Sequence, residues 1–348
     1  MAKVKIKIKN LYKIFGNNTK AAMEHVRNGA SKQSLLDDNR HVLGLRNINL
    51  DVPEKKIQVV MGLSGSGKST LIRHINRLIE PTEGQVIVDG EDVLAMSQDD
   101  LREFRRHKSS MVFQKFALLP HRTVAQNAAY GLTIQGISEG EAKERSQRWI
   151  DRVGLGGFEN HFPAQLSGGM QQRVGLARAL ATDAEILLMD EAFSALDPLI
   201  RTDMQDILLD LQEELHKTIV FITHDLDEAL RIGDQIAILR DGESIQQGDP
   251  QDIIMRPADD YISDFIKDIN RGRVIEVRSV MTKTARATGP KLAMDMALED
   301  ALQALASSKK GSGAVVDSSG KTVGKIEINS AISAIARPDR SSATPRYK

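Results

Sequence analysis

The sequence predicts an α/β fold whose core is interrupted by a helical subdomain, and three observations favour that class. Short apolar runs typical of buried strands recur between residues 57 and 239, separated by segments with helical spacing. One of these runs, Ile57–Met61, leads directly into a glycine-rich loop and then a helix. Another, Ile186–Met189, ends in two carboxylates. At 348 residues the chain is long enough for this domain and a second, smaller one.

The predicted elements follow from hydrophobic periodicity. The strands, in chain order, are Lys3–Asn10, Ile57–Met61, Val86–Val88, Ser110–Phe113, Ile186–Met189, Thr218–Ile222 and Ile236–Leu239. The helices include Lys68–Ile79, Ser138–Val153 and a segment from about Met170 to Leu180. A mostly helical stretch, about residues 115–185, forms the predicted subdomain, and a polar insertion at residues 17–42 is expected at the surface.

The region after the last of these strands predicts a change of domain. A helix, Asp260–Ile269, leads into a linker near residues 271–273. Beyond it the pattern indicates a strand at Val274–Val280, a helix at Met296–Ala306 and a strand pair on either side of the turn 317–320. This second, α+β domain is expected to cover residues 274–336, and the polar tail, residues 337–348, is expected to be disordered.

Composition excludes several classes of protein. The 47 basic and 47 acidic residues balance, which argues against a nucleic-acid-binding protein. Cysteine is absent, so disulfides and thiolate metal sites are excluded, which fits a cytoplasmic location. No apolar run reaches the ~18 residues of a membrane span, and Met1–Asn10 has the alternation of a strand rather than of a signal peptide. We therefore expect a soluble protein whose membrane role requires a partner.

A glycine-rich loop indicates phosphate binding. The pattern Gly62-x-x-x-x-Gly67-Lys68-Ser69 follows a strand and opens a helix, the context that a phosphate-binding loop requires. Backbone N–H groups would surround a β-phosphate, Lys68 would reach the β- and γ-phosphates, and Ser69 would bind Mg²⁺. An incidental glycine turn does not explain Lys-Ser-Thr at this place. The predicted nucleotide-binding residues are Gly62, Leu63, Ser64, Gly65, Ser66, Gly67, Lys68, Ser69 and Thr70.

Polar residues at three strand ends complete the expected catalytic set. Asp190 would hold Mg²⁺ largely through water, and Glu191 would accept a proton from the attacking water. The alternative is a chance acidic pair that caps the next helix. The amide of Gln114 suits the metal and the water, and His224 would hold the γ-phosphate or orient Glu191. Each of these two is more often an ordinary polar residue when read alone, but their order among the motifs favours function.

A second glycine-containing motif, Ser167-Gly168-Gly169, predicts a second anion site. Ser167 is a natural N-cap, and Gly168 and Gly169 leave backbone N–H groups uncovered at the positive end of the following helix. Plain N-capping explains the serine but not two glycines. Because this motif is not expected to reach the first within one chain, we expect it to complete the site of a second, head-to-tail copy.

Phe15 would stack on adenine, or else is a core aromatic at a strand end.

Taken together, these motifs resemble those of the ATP-binding cassette (ABC) ATPases over roughly residues 3–270. In the terms of that family, Phe15 is the A-loop, Gly62–Thr70 Walker A, Gln114 the Q-loop, Asp190 and Glu191 Walker B, and His224 the H-loop. The signature motif is Leu166, Ser167, Gly168, Gly169, Met170 and Gln171, and the D-loop is Ala195, Leu196 and Asp197.

The resemblance implies a P-loop ATPase that uses ATP and Mg²⁺, with Glu191, His224 and Gln114 as catalytic residues. Ser69, Gln114 and Asp190 are the implied metal ligands. It also implies a homodimer, integral membrane permease subunits that contact residues 115–165, and a substrate-binding protein that acts indirectly. The protein is then peripheral at the cytoplasmic face of the inner or plasma membrane.

Four segments are similar to the ATPase subunits of glycine betaine/proline betaine importers: residues 10–16, 76–81, 116–121 and 191–201. Members of that subfamily commonly end in two cystathionine-β-synthase (CBS) modules, whereas residues 274–336 have room for one. The transported solute stays open among glycine betaine, choline, carnitine, proline and trimethylamine N-oxide. An ABC protein that acts on DNA or ribosomes usually has coiled-coil insertions or two fused cassettes, and an exporter often carries its membrane segment in the same chain; neither feature is present in this sequence.

Overall fold

The computed structural model describes residues 3–114, 116–194, 196–308 and 310–336. Ala195 of the expected D-loop and the expected tail, residues 337–348, lie outside the described residues. The chain divides into two compact units, Met1–Gln247 and Gly248–Lys348. Among the helices in the described parts, none combines the length and the apolar character needed to cross a membrane.

In the described residues of the first unit there are ten strands. They are β1 (Val4–Phe15), β2 (Val42–Pro53), β3 (Ile57–Met61), β4 (Glu83–Val88), β5 (Glu91–Asp92), β6 (Ser109–Val112), β7 (Ile186–Asp190), β8 (Thr218–Thr223), β9 (Gln235–Arg240) and β10 (Glu243–Gly248). Six of them form one sheet in the order β10-β9-β3-β8-β7-β6, in which β9, β3, β8, β7 and β6 run parallel. Every residue of β3, β7 and β8 is buried, which explains why these strands are mostly apolar and do not alternate with polar residues.

Ten helices accompany these strands in the part of the unit that the structure describes. They are α1 (Thr19–Arg27), α2 (Lys32–Asn39), α3 (Lys68–Ile75), α4 (Gln98–Glu103), α5 (Val124–Ala128), α6 (Tyr130–Ile134), α7 (Glu139–Arg152), α8 (Gly168–Ala181), α9 (Pro198–Leu215) and α10 (Leu226–Ile232). A π-helical turn at Phe104–Lys108 and a 3₁₀ turn at Pro163–Gln165 complete the set. Helices α5 to α8 all lie between β6 and β7, in the stretch where the helical subdomain was expected.

A second sheet, antiparallel, has the order β2-β1-β4-β5. It packs on the parallel sheet through one apolar core that includes Ile8, Leu50, Val60, Ile72 and Val220. The polar insertion is a helical hairpin, α1 and α2, that joins β1 to β2. Its spacing did predict helices, but β2 was not predicted from the sequence.

Within residues 248–308 and 310–336, the second unit contains six helices and four strands. They are α11 (Pro250–Met255), α12 (Asp260–Phe265), α13 (Arg271–Val274), α14 (Val277–Val280), β11 (Thr282–Lys283), β12 (Lys291–Ala293), α15 (Leu298–Ala306), β13 (Ser312–Val316), β14 (Thr322–Glu327) and α16 (Ile328–Ile335). The sheet order is β11-β14-β13-β12, with β12 and β13 parallel and the other pairs antiparallel. The predicted strand pair around residues 317–320 is confirmed.

The predicted strand Val274–Val280 is wrong, because this segment forms the short helices α13 and α14. The side chain of Asn270 accepts a hydrogen bond from the backbone N–H of Gly272 at 3.1 Å and starts the first of them. Apolar alternation over so few residues does not separate a strand from two helical turns.

The boundary between the units lies earlier in the chain than the expected linker near residues 271–273. The reason is the buried side chain of Gln251 in α11, whose amide donates to the carbonyl of Val274 at 2.9 Å. Its oxygen accepts from the N–H of Glu276 at 3.0 Å and from the hydroxyl of Ser279 at 2.9 Å. These bonds join α11 to the segment that follows.

Candidate nucleotide-binding site

The Walker A loop, residues 62–70, connects β3 to α3 at the carboxyl end of the parallel sheet. Gly62 has φ = 150°, and a Cβ atom there would overlap the carbonyl oxygen of Leu239. The loop therefore follows a path that no other residue type can take at this position. The hydroxyl of Ser66 is buried and has no hydrogen-bond partner among the described residues, which fits a ligand in the loop.

Lys68 is folded back on its own loop. Its ammonium donates to the carbonyl of Gly62 at 2.7 Å and to that of Leu63 at 3.1 Å, and it lies 3.6 Å from a carboxylate oxygen of Glu191. Burial lowers the pKa of the Lys68 amine, an effect that the Glu191 and Asp190 carboxylates oppose. A phosphate oxygen can replace either carbonyl without a large movement of the side chain.

Asp190, at the end of β7, is fully buried and held on both oxygens. The hydroxyl of Ser69 donates to one oxygen at 2.7 Å, and the guanidinium of Arg73 donates to the other at 3.0 Å. Arg73 was not predicted from the sequence. Its spacing from Ser69 is the available signal, because residues four apart share one face of a helix.

The oxygen atoms of Asp190 and Ser69 are suitable ligands for Mg²⁺. No group of three or more acidic or histidine side chains that could hold a metal by itself occurs in the described part of the chain. However, Mg²⁺ at nucleotide sites is usually held by one or two protein oxygens together with phosphates and water. The adjacent Ser69 hydroxyl and Asp190 carboxylate supply such oxygens.

Glu191 brings together the ends of four strands. It follows β7, and its backbone N–H donates to the carbonyl of Ile222 in β8. The amide of Gln114, after β6, donates to Oε2 at 2.8 Å, and Nδ1 of His224, after β8, lies 3.8 Å from the same oxygen. Lys68, from the loop after β3, lies beside the other oxygen, so three residues that were predicted to act on the phosphates, the metal or the attacking water surround one carboxylate.

The segment after Gln114 is strained. Phe116 and Ala117 both have positive φ, 57° and 47°, which is uncommon for residues other than glycine. Arg178 of α8 donates to the carbonyl of Phe116 at 2.9 Å and to that of Ala117 at 2.7 Å. Burial lowers the pKa of this guanidinium. Arg178 therefore links the helix after the signature motif to the Q-loop, a contact not predicted from the sequence.

Phe15 stands at the end of β1, opposite Val42 in β2. Its side chain is 38% exposed, and the ammonium of Lys13 lies 4.9 Å from the ring centroid. The ring is therefore not part of the core, and the alternative of a buried strand-end aromatic does not hold. An exposed ring beside a cation is free to stack on a base.

The signature motif, Leu166–Gln171, makes local contacts. The hydroxyl of Ser167 accepts from the N–H of Met170 at 3.3 Å, which confirms the predicted N-cap of α8. The amide of Gln171 donates to Pro163 and Leu166 carbonyls at 3.1 and 3.2 Å. Among the described residues, no hydrogen bond joins this motif to the Walker A loop, and Gly168 is exposed.

In the D-loop, Leu196 is buried and Asp197 caps α9 by accepting from the N–H of Ile200 at 3.0 Å. The guanidinium of Arg201 donates to the carbonyl of Leu196 at 3.2 Å. The loop is thus held by the start of α9, a helix that was not predicted.

Comparison with known proteins decides the family. A family model described as "ABC transporter" matches residues 45–194. The chain is 52% identical over 296 residues to the glycine betaine transport ATP-binding protein OpuAA of Bacillus subtilis, covering 84% of this chain and 71% of that protein. The chain belongs to the ATP-binding subunits of ABC transporters.

Other relatives of this ABC ATPase cover more of the chain. The glycine betaine/proline betaine transport system ATP-binding protein ProV of Escherichia coli is 46% identical, over 96% of this chain and 83% of its own. The trimethylamine N-oxide transport system ATP-binding protein TmoW of Pelagibacter ubique is 46% identical, over 92% of this chain and 94% of its own. A dimeric structure of MJ0796, a bacterial ABC transporter cassette, has a TM-score of 0.61 at 35% identity, over 70% and 98% of the two chains.

Proposed function

We propose that this protein is the ATP-hydrolysing subunit of an ABC importer for glycine betaine or a related quaternary amine. The observation that carries the proposal is the set of contacts around Glu191, in which Gln114, His224 and Lys68 approach one carboxylate from separate strand ends. Such a carboxylate is positioned to accept the proton of an attacking water.

In this scheme the side chains have separate roles. Lys68 leaves the loop carbonyls and binds the β- and γ-phosphates of ATP, while Glu191 accepts the proton of the water. Gln114 and His224 fix the carboxylate and the water. Ser69, Asp190 and Gln114 would hold Mg²⁺, which when bound neutralises charge on the phosphates.

We further propose that two copies act head to tail. Ser167, Gly168 and Gly169 of one copy would then close over ATP in the Walker A loop of the other. The support is the local bonding and exposure of this motif, together with the dimeric MJ0796 cassette to which the chain is similar. Permease subunits would contact residues 115–165, and the protein would stay peripheral at the cytoplasmic face through them.

The solute assignment rests on the names of the relatives. Glycine betaine appears in the names of OpuAA and ProV. Trimethylamine N-oxide is the second candidate, and a specific observation favours it. The match to TmoW covers 94% of the length of that relative, whereas the match to OpuAA covers 71% of its length. The aligned region therefore leaves less of TmoW unmatched than of OpuAA. Residues 274–336 stand as a proposed single CBS-like module.

Replacing Glu191 by glutamine tests the catalytic proposal. Glu191→Gln keeps the shape of the side chain but cannot accept a proton at neutral pH, so ATP hydrolysis should fall by about a hundredfold or more while MgATP binding persists. Steady-state hydrolysis and equilibrium binding of the purified protein measure the two effects. Wild-type turnover in this variant would remove Glu191 from the role of base.

Uptake identifies the solute. A strain that lacks this subunit, with and without the gene restored, is given labelled glycine betaine, choline, carnitine, proline and trimethylamine N-oxide separately. The proposal expects gene-dependent uptake of glycine betaine or trimethylamine N-oxide. The Glu191→Gln gene is the matched control, because it supplies the protein without turnover. Gene-dependent uptake of proline alone, or of none of these five, would contradict the solute class.

A further inference from the structure

The insertion between Phe15 and β2, here called the α1–α2 hairpin, is a folded element with its own small core. Met23, Val26 and Leu35 pack with Ile14 of β1 and Leu43 of β2, and all five are buried. The hairpin is also held to β4, because Arg27 donates two hydrogen bonds of 2.7 Å to the carboxylate of Glu83. It therefore holds its residues at fixed places relative to the sheet.

One of these places is the Walker A loop. Lys32, the first residue of α2, donates from its ammonium to the carbonyl of Gly65 at 3.2 Å. The same ammonium lies 3.8 Å from the carboxylate of Asp241. A second lysine of this chain thus bonds to the loop carbonyls in the way that Lys68 does from within the loop.

The surroundings of this contact leave room for a ligand. Gly65 has φ = 78°, and a Cβ atom built there has no other atom within 4 Å, so the space beside the loop is open. The side chain of Lys32 is about one third exposed, at 35%. Neither the carbonyl of Gly65 nor the exposed carboxylate of Asp241 is a strong competitor for an ammonium group when a polyphosphate is near.

We propose that α2 is part of the ATP-binding site, with Lys32 exchanging the carbonyl of Gly65 for the phosphates of bound ATP. Residues at and next to the hairpin would then contact both the base and the phosphates of the nucleotide. Phe15, immediately before the hairpin, faces the base, and Lys32 faces the phosphates. This inference rests on the proposed use of the Walker A loop for ATP.

Equilibrium binding of ATP, ADP and AMP to the purified full chain with Mg²⁺ tests the inference. Lys32→Gln removes the charge and should raise the Kd for ATP about tenfold, the scale of one charge-assisted hydrogen bond. The loss should be smaller for AMP, which lacks the β- and γ-phosphates. Lys32→Arg should restore most of the affinity, because it keeps the charge.

Two controls make the outcome specific. Lys20→Gln removes the same charge from an exposed position on α1 of the same hairpin and should leave all three Kd values unchanged. Lys68→Ala tests the proposed function itself. If Lys68→Ala binds ATP normally, the proposed site is wrong. If Lys68→Ala loses ATP while Lys32→Gln and Lys20→Gln both bind as wild type does, the inference about Lys32 alone is wrong.

A purely structural role for Lys32 predicts a different pattern. In that case Lys32→Gln would lower the thermal midpoint of the nucleotide-free protein and would weaken AMP as much as ATP. The inference expects an unchanged midpoint without nucleotide and a smaller ATP-induced rise of the midpoint. Equal weakening of AMP and ATP would overturn it.

Discussion

Two glycine-rich turns in this chain each open a helix, and they differ in what fixes them. The Walker A turn before α3 is enclosed at its first residue: a Cβ at Gly62 would overlap the carbonyl of Leu239, and Lys68 is buried on the loop carbonyls. The signature turn before α8 is open at Gly168. Ser167 caps the helix locally, and a Cβ at Gly168 would meet nothing within 4 Å.

The difference shows that glycine has two separate purposes here. Gly62 is required by the fold of its own chain, because the backbone path and the neighbouring strand leave no space for a side chain. Gly168 satisfies no steric demand among the described residues, and a glycine near a helix start costs stability. Under the proposed function, the surface that would require Gly168 lies outside the chain and is the ATP bound by a second copy.

Matched alanine substitutions should produce the largest contrast. Gly62→Ala should destabilise the protein by about 3 kcal/mol or more and abolish ATP binding, because the backbone must move. Gly168→Ala should leave stability within about 1 kcal/mol, with a slight gain from helix propensity, yet lose most hydrolysis. Urea unfolding, ATP binding and turnover separate the two cases.

A different result would contradict the expectation for each of the two variants. A Gly168→Ala variant that hydrolyses ATP like wild type would mean that no partner surface needs the glycine. A stable, ATP-binding Gly62→Ala variant would mean that the loop can relax away from Leu239.

Mixing two defective subunits should reveal whether the open turn acts in the other copy. In a mixed dimer of Lys68→Ala with Ser167→Arg, one composite site carries both defects and the other carries neither. We expect the mixture to recover part of the hydrolysis that each variant lacks alone, because the intact site combines Lys68 of one copy with Ser167 of the other.

The control is a mixture of Lys68→Ala with a Lys68→Ala, Ser167→Arg double variant, in which no intact site can form. Activity in the control equal to that in the test mixture would indicate contamination or a site built within one chain. Both preparations must be shown to associate by sedimentation before their hydrolysis is compared.

The features that the sequence predicted correctly are local ones. Ile57–Met61 is a strand with the predicted bounds, because four apolar residues and Gln58, all buried, stand directly before a glycine loop and leave few alternatives. Ser167 is the N-cap of α8 because a hydroxyl one residue before the helix reaches the N3 backbone N–H. The motif order also led to the family that the comparisons establish.

The features that the sequence did not predict depend on tertiary contacts. Arg73 binds Asp190, Lys32 binds Gly65 and Arg178 binds the carbonyls of Phe116 and Ala117, and each partner is distant in the sequence. A lysine or arginine on a helix is usually solvated, so of these three only Arg73, four residues after Ser69, has a signal in the sequence.

The smallest expected effect is a pH dependence that belongs to the Walker A helix and not to the signature helix. His74 of α3 is fully buried, and its Nδ1–H donates to the carbonyl of Thr70 at 2.5 Å. Burial lowers the pKa of His74 to about 4 from its ordinary value of 6.5, with the Thr70 carbonyl opposing the shift and Lys13 adding to it. The signature helix α8 buries Gln172, which does not titrate.

Because the folded state disfavours the protonated ring, the contribution of His74 is fully present above pH 6.5 and declines as the pH falls toward 4. Between pH 7 and pH 5 this one group should cost about 2 kcal/mol of unfolding free energy. His74→Asn retains an N–H donor but cannot titrate, and we expect it to be less stable than wild type at pH 7. Its unfolding free energy should fall by about 2 kcal/mol less than that of wild type between pH 7 and pH 5. Gln172→Met in α8 is the matched control and should follow the wild-type pH dependence. Urea unfolding of the three proteins at both pH values measures this, and parallel losses in all three would show that His74 is not the titrating group.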